Sequence, residues 1–388
     1  MPYYHRLGDI PAKRHTVFRK SGGGIHYEHL IGNLGFTGLQ SLIYTVRRPT
    51  SVVSSRCRET LDWQSEDDPG LRMRHLRTHR LELPPVDPVT GRAPLLFNND
   101  VAMSLSRPGD SEAPLYRNAQ GDEIVYVSRG EGVLESQFGE LDVRSGDYVV
   151  IPRGIIHRWR LAAGQDPILF IVESHGYVRT PSRYRNEHGQ LLEHSPFCER
   201  DIRPPSRLVT VTETGETPLL VKKDNALHEV VLDHHPFDTV GWDGFYYPWA
   251  LSIHDFEPIT GRLHQPPPVH QTFQGDGWVL CSFVPRLYDY HPDAIPAPYN
   301  HSNVMSDEVL YYCNDEFMSR KDIEYGSLTL HPDGLPHGPQ PGKTEASIGQ
   351  KETSELAVMV DTFAPLRVAR AALPCEDPSY QQSWLGDD

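Results

Sequence analysis

The stretch HSNVMSDEVLYY, residues 301–312, sets a histidine seven residues ahead of Glu308, which opens an apolar, aromatic run. A neutral imidazole and a carboxylate are the side chains that most often hold a first-row divalent ion. Downstream, GSLTLHPDGLPH brings two more histidines, His331 and His337, into a Gly/Pro-punctuated segment. The question is whether this is a metal site or a polar turn entering a strand. The chain holds 20 histidines, so spacing must decide it.

The elements around these residues point to short strands. The 38% hydrophobic content, 34 prolines and 31 glycines favour many short segments joined by turns over long helices. In DEIVYVSRGEGVLESQFGELDVRSGDYVVIPRGIIHRW, apolar residues alternate with polar ones between glycines, the pattern of antiparallel strands. There Gly146 is followed six residues on by Pro152, then Gly154, then His157. The same offsets recur 180 residues later at Gly326, Pro332, Gly334 and His337. Each copy follows an acidic strand entry, Asp122-Glu123 before IVYV and Asp307-Glu308 before VLYY. The repeat predicts an internal duplication.

A formal net charge of −15 argues against nucleic acid or an anionic membrane surface as partner. No run approaches the length of a membrane span, and MPYYHRLGDIPAKRHTVFRK lacks the apolar core of a secretory signal. A cytoplasmic location is expected. The five scattered cysteines form no CxxC pair and suggest neither a disulfide framework nor a thiolate metal site.

The duplicated offsets resemble the two motifs of cupins, in which one strand pair supplies histidines and a glutamate and a second supplies the last histidine. This implies an all-β chain of two cupin (jelly-roll) barrels from an internal duplication, with few short helices. The expected division is an N-terminal domain, 1–235, with a metal-free barrel at about 100–175, and a C-terminal barrel, 236–388, with the metal site. In the cupin register His301, Glu308 and His337 form a two-histidine, one-carboxylate set of the type that holds ferrous iron and leaves positions open. In the first copy Tyr116 and Asn118 replace the histidines, leaving Glu123 and His157. Asp307 competes with Glu308 as the carboxylate, and zinc or manganese competes with iron.

The wording of PYNHSNVMSDE, TLHPDGLPHGP and HHPFDTVGWDGFYYPW is more specific: it is similar to the homogentisate 1,2-dioxygenase family. The resemblance covers most of the chain, with its sharp motifs between residues 234 and 339. It implies a ring-cleaving enzyme that inserts both atoms of O2 into a substituted hydroquinone at a mononuclear Fe(II) centre, in a homotrimer or hexamer. It makes His301 and His337 iron ligands, His331 a second histidine near the substrate, and Asn303 a hydrogen-bonding partner of a ligand or substrate oxygen. Two departures stand out. The family's Trp-His-Gly, whose histidine handles substrate protons, is Trp242-Asp243-Gly244 here, so Asp243 is the expected replacement, with His254, His264 and His270 as alternatives. The strand after the carboxylate carries Tyr311, Tyr312, Cys313 and Asn314 in place of a stretch with a basic residue. Tyr247 and Tyr311 are candidates for the substrate wall. The rival functions are an iron dioxygenase for a gentisate-like ring or a catechol, and a non-catalytic binding or storage bicupin.

Overall fold

The computed structural model describes residues 3–61, 63–109 and 112–385. Among them the regular structure is almost entirely β: one five-residue α-helix, Lys343–Ser347, and a few 3-10 turns accompany the strands. The chain is all-β and builds two jelly-roll barrels, as the repeat predicts. The first is made chiefly from an eight-stranded and a seven-stranded sheet, the second from a six-stranded sheet closed by short ladders. A four-stranded sheet containing Gln40–Thr45 and Thr239–Gly244 adjoins the first barrel.

The duplication is visible in the backbone itself. Gly146 and Gly326 adopt φ of +89° and +78°, and Gly154 and Gly334 adopt +85° and +81°. These are left-handed conformations that an L side chain enters at a steric cost. The two acidic entries also match. Asp122 accepts hydrogen bonds from the Arg153 and Val178 amides at 2.8 and 3.0 Å. Asp307 accepts from the Asp333 and Leu366 amides at 2.8 and 2.7 Å. In each copy the aspartate ties the Pro-x-Gly turn to the strand entry, and the glutamate beside it points the opposite way, because side chains alternate along a strand.

The strand Asp307–Tyr312 is buried on both faces. Leu310 and Tyr312 turn into the second barrel with Cys281, Met359 and Ile323. Val309 and Tyr311 turn outward onto the first barrel, where the Tyr311 ring stacks on Phe170 at 4.6 Å and 3°. Tyr311 also donates its hydroxyl to Ser128 at 3.0 Å, and Tyr148 bonds Ser282 at 2.8 Å across the same seam. The six-stranded sheet therefore has two apolar faces, which is why its strands read as continuous hydrophobic runs.

Strand pairing crosses the expected boundary at 235/236. Arg74–Arg77, from the first half, pairs with Ser327–His331 in the six-stranded sheet. Trp249–Ser252 pairs with Asp147–Ile151, and Arg367–Val368 with Ala93–Phe97, in the eight-stranded sheet. Each half carries one copy of the motif, while the sheets exchange edge strands because each barrel's edge is covered by whichever segment runs past it.

Candidate metal centre

Three side chains meet at the open side of the second barrel. Glu308 enters from the six-stranded sheet, turned inward with Leu310. His301 and His337 come from two loop segments joined by a single antiparallel bridge: each amide donates to the other's carbonyl, at 2.8 and 2.9 Å. That bridge sets the imidazole centroids 4.3 Å apart. The Nε2 atoms of His301 and His337 lie 3.8 and 3.6 Å from Glu308 Oε2. These distances are too long for hydrogen bonds. They are slightly wider than the roughly 3 Å separating neighbouring ligands of one ion bound at about 2.1 Å. One ligand atom from each residue falls within 4.8 Å of the others.

The tautomers suit an ion as well. His301 Nδ1–H donates to the Tyr299 carbonyl at 2.9 Å, and His337 Nδ1 faces the Leu335 carbonyl at 3.4 Å, leaving both Nε2 lone pairs toward Glu308. His337 Nε2 is buried with no hydrogen-bond partner. Burial by itself would raise the Glu308 carboxyl; the imidazoles of His301, His331 and His337 gathered around it overcome this and hold it well below the usual range. The donor set fits a divalent metal ion.

Behind the carboxylate lies a relay. Tyr380 donates its hydroxyl to His331 Nε2 at 3.2 Å, and His331 Nδ1–H donates to Glu308 Oε1 at 2.9 Å. His331 is completely buried, and burial, with Arg320 nearby, depresses it to about 3, so it stays neutral. The ring stacks on His337, centroids 4.9 Å apart. His331 thus touches the carboxylate and orients it.

Above the three ligands opens a cavity of about 190 Å³ whose walls include Phe283, Leu310, Phe317 and Met359. A dry cavity of about 150 Å³ is enough for one benzene ring. Its polar members include Arg286, Arg320, Glu355, Asp361, His264, His270 and Asn303. Arg320 is buried, donates to the Gly338 carbonyl at 2.9 Å and approaches Glu308 Oε1 to 3.9 Å. Asp361 pairs with Glu308 across the sheet, and its Oδ1 is buried without a partner. Burial and the Glu308 charge push the Asp361 carboxyl well above the usual range.

The family model described as homogentisate 1,2-dioxygenase N-terminal matches residues 87–253. The Saccharolobus solfataricus protein named "Putative dioxygenase SSO1533" is 42% identical over 391 residues, 99% of each chain. The chain belongs to the homogentisate 1,2-dioxygenase family. Proteins named homogentisate 1,2-dioxygenase from Bradyrhizobium diazoefficiens and Oryza sativa subsp. japonica are each 28% identical over 70% and 69% of this chain. The matched segments span only 62% and 60% of those two proteins. Among solved structures, a cupin 2 conserved barrel domain protein from Leptotrichia buccalis covers 74% of this chain and 95% of its own, at 9% identity and a TM-score of 0.33.

Against the family pattern, several expected site residues sit elsewhere. Asp243, which stands at the family's proton-handling position, lies in the four-stranded sheet and accepts from Arg14 and Tyr4, both at 2.8 Å. It does not line the cavity. Of the alternatives, His264 and His270 do line it, whereas His254 is exposed on a 3-10 turn outside it. Tyr247 is core: its hydroxyl donates to the Tyr3 carbonyl at 2.7 Å and its ring packs on Trp242. Tyr311 faces the first barrel because it is one residue out of phase with Leu310. Asn303 is among the residues that line the cavity. Arg320 and Asp361 were not anticipated; both follow positions that the sequence pattern alone leaves ordinary.

Asp307, the rival of Glu308, is committed to two backbone amides on the opposite face. Replacing it with alanine is expected to leave metal stoichiometry unchanged and to cost about 1–3 kcal/mol through the two stranded donors. Urea unfolding beside metal analysis checks both.

In the first barrel the corresponding carboxylate is paired with an arginine. Glu123 is fully buried and receives both terminal nitrogens of Arg92, at 2.8 and 2.9 Å, with Tyr116 Oη at 3.1 Å and Asn118 Nδ2 at 3.0 Å. His157 keeps the habit of its twin, turning Nδ1 to the Ile155 carbonyl at 3.2 Å. A guanidinium stands against the carboxylate where His301 and His337 face Glu308.

Proposed function

We propose that the chain is a ring-cleaving dioxygenase acting on an acid-bearing hydroquinone such as homogentisate, with Fe(II) held by His301, Glu308 and His337. The observation that carries this reading is the meeting of the three ligand atoms where two of their residues, His301 and Glu308, line a cavity sized for one substituted ring. When bound, the iron would supply redox coupling between the ring and dioxygen, both held within reach of it. The chain's own residues do the rest. Phe283, Leu310, Phe317 and Met359 take up the ring and exclude water. Arg286 and Arg320 give the cavity positive charge, which favours a substrate carboxylate or phenolate. Arg286 is itself paired with buried Glu355 at 2.7 Å, so Arg320 has the greater freedom to receive an oxyanion. Asp361, kept protonated, offers a proton from its carboxyl beside Glu308. His331 keeps Glu308 oriented and ionised.

Iron-loaded protein is expected to consume O2 with homogentisate faster than with gentisate, and with either faster than with catechol, which lacks the acid. An oxygen electrode with these three compounds checks this. Iron bound but no uptake on any would remove the hydroquinone reading, and a chain that holds no iron would favour a binding bicupin.

A further inference from the structure

Far from the metal ligands along the chain, a second cavity of about 320 Å³ lies between the seven-stranded and four-stranded sheets. Its walls carry an aliphatic patch that includes Ile43, Ile156, Leu219 and Val230, with polar residues such as Ser55 and Gln137 beside it. Into this apolar space faces Arg117, on the short strand Tyr116–Asn118. Its neighbours Tyr116 and Asn118 turn the other way, toward Glu123, so Arg117 is driven outward by strand alternation.

Among the described residues Arg117 has no side-chain hydrogen bond or ion pair, and its Nε is buried without a partner. The candidate counter-ion nearby is occupied: Asp238 accepts the Arg47 amide at 2.7 Å and lies 3.8 Å from His234 Nε2. His29, also lining the cavity, is kept neutral, lowered to about 4 by burial and then by Arg117. A guanidinium held against aliphatic walls without a counter-charge is costly, and arginine stays charged. A carboxylate matches its planar fork with two parallel hydrogen bonds.

We propose that this cavity is a binding site for a small monocarboxylate with an apolar body, its carboxylate on Arg117 and its hydrocarbon among the aliphatic residues. The site is separate from the iron-dependent reading above. The charge selects the head group, and the aliphatic residues favour a hydrocarbon body that an inorganic anion lacks.

The test is calorimetric titration of the full chain with sodium octanoate, octan-1-ol and inorganic phosphate. Octanoate should bind one per chain, with octanol and phosphate weaker by roughly tenfold or more, the value of a charge-assisted pair. Arg117→Met should bring octanoate down to the level of octanol while leaving metal content unchanged, and Glu308→Gln should leave octanoate binding intact. If Arg117→Met does not fold, the octanoate-to-octanol ratio in the unaltered chain decides alone. Equal binding of octanoate and octanol, no octanoate binding, or octanoate binding unchanged in Arg117→Met would each overturn the proposal. So would loss of octanoate binding in Glu308→Gln, which would place the ligand at the metal cavity. Failure to bind octanoate together with a changed sedimentation coefficient for Arg117→Met would assign the guanidinium to an acid on a second copy, again against it.

Discussion

Glu308→Gln is expected to release the metal and abolish oxygen uptake. The substitution keeps the shape but removes the charge that the geometry gathers around. Both imidazole Nε2 atoms approach the same oxygen, Glu308 Oε2, and His331 holds the other oxygen at 2.9 Å. A glutamine that turns its amide NH2 to His331 meets Nδ1–H donor against donor, and one that turns it to the imidazoles occupies the Nε2 lone pairs that the ion needs. Loss of a partner that merely supports a ligand lowers metal affinity about 10- to 100-fold. Removing the one charged ligand should exceed the upper end of that range. His331→Phe, which strips only the support, should fall within it. Iron content after anaerobic loading and dialysis, with oxygen uptake alongside, separates the two. Iron retained in Glu308→Gln but lost in Asp307→Ala would reverse the choice of carboxylate.

Arg92→Met should be the most destabilising single change in the first barrel, costing about 3–5 kcal/mol, because it leaves the fully buried Glu123 without its cation. Adding Glu123→Leu should recover most of the loss, since an apolar pair of similar volume carries no desolvation penalty. The effect depends on pH. Burial would raise the Glu123 carboxyl, but Arg92 wins and holds it at about 2, below its ordinary 4.5. A carboxylate depressed on folding stabilises the folded chain above its unfolded value, and that contribution fades as pH falls from about 4.5 toward 2. The urea-midpoint gap between the unaltered chain and Arg92→Met should therefore be full at pH 7 and narrow over that acid range. A gap independent of pH would show that the lost packing of the arginine stem, not its charge, is responsible.

The duplication was legible because turns need glycine and proline at fixed offsets, and those offsets survive when other residues drift. The same logic brings His301, Glu308 and His337 together in one place. The choice between Asp307 and Glu308 was also encoded, since Asp122-Glu123 repeats the pair and strand alternation sends its members to opposite faces. Alternation likewise excludes Tyr311 from the cavity once Glu308 is set inward. What the pattern did not carry was contact between distant loops. Arg320 reaches Glu308 from a turn with no regular spacing to it, and Asp361 does so only through sheet pairing. Tyr247 lies away from the cavity because an aromatic stretch looks alike whether it lines a pocket or fills a core, and Asp243, chosen for its position in Trp242-Asp243-Gly244, is held instead by Arg14 and Tyr4.

The exchange of edge strands has a consequence for how the molecule is made and inherited. Arg74–Arg77 leaves the ribosome some 250 residues before Ser327–His331, the strand it covers. Trp249–Ser252 and Arg367–Val368 in turn arrive after the sheet they extend. Neither barrel can therefore finish during synthesis before most of the other exists, and such long-range pairings are slow to form. A fragment cut at 235/236 would bare the backbone of the strand that carries His331, an open edge prone to self-association. The two copies of the ancient repeat are thus no longer separable modules: the half that faces Glu308 toward histidines depends for its edge on the half that faces Glu123 toward an arginine.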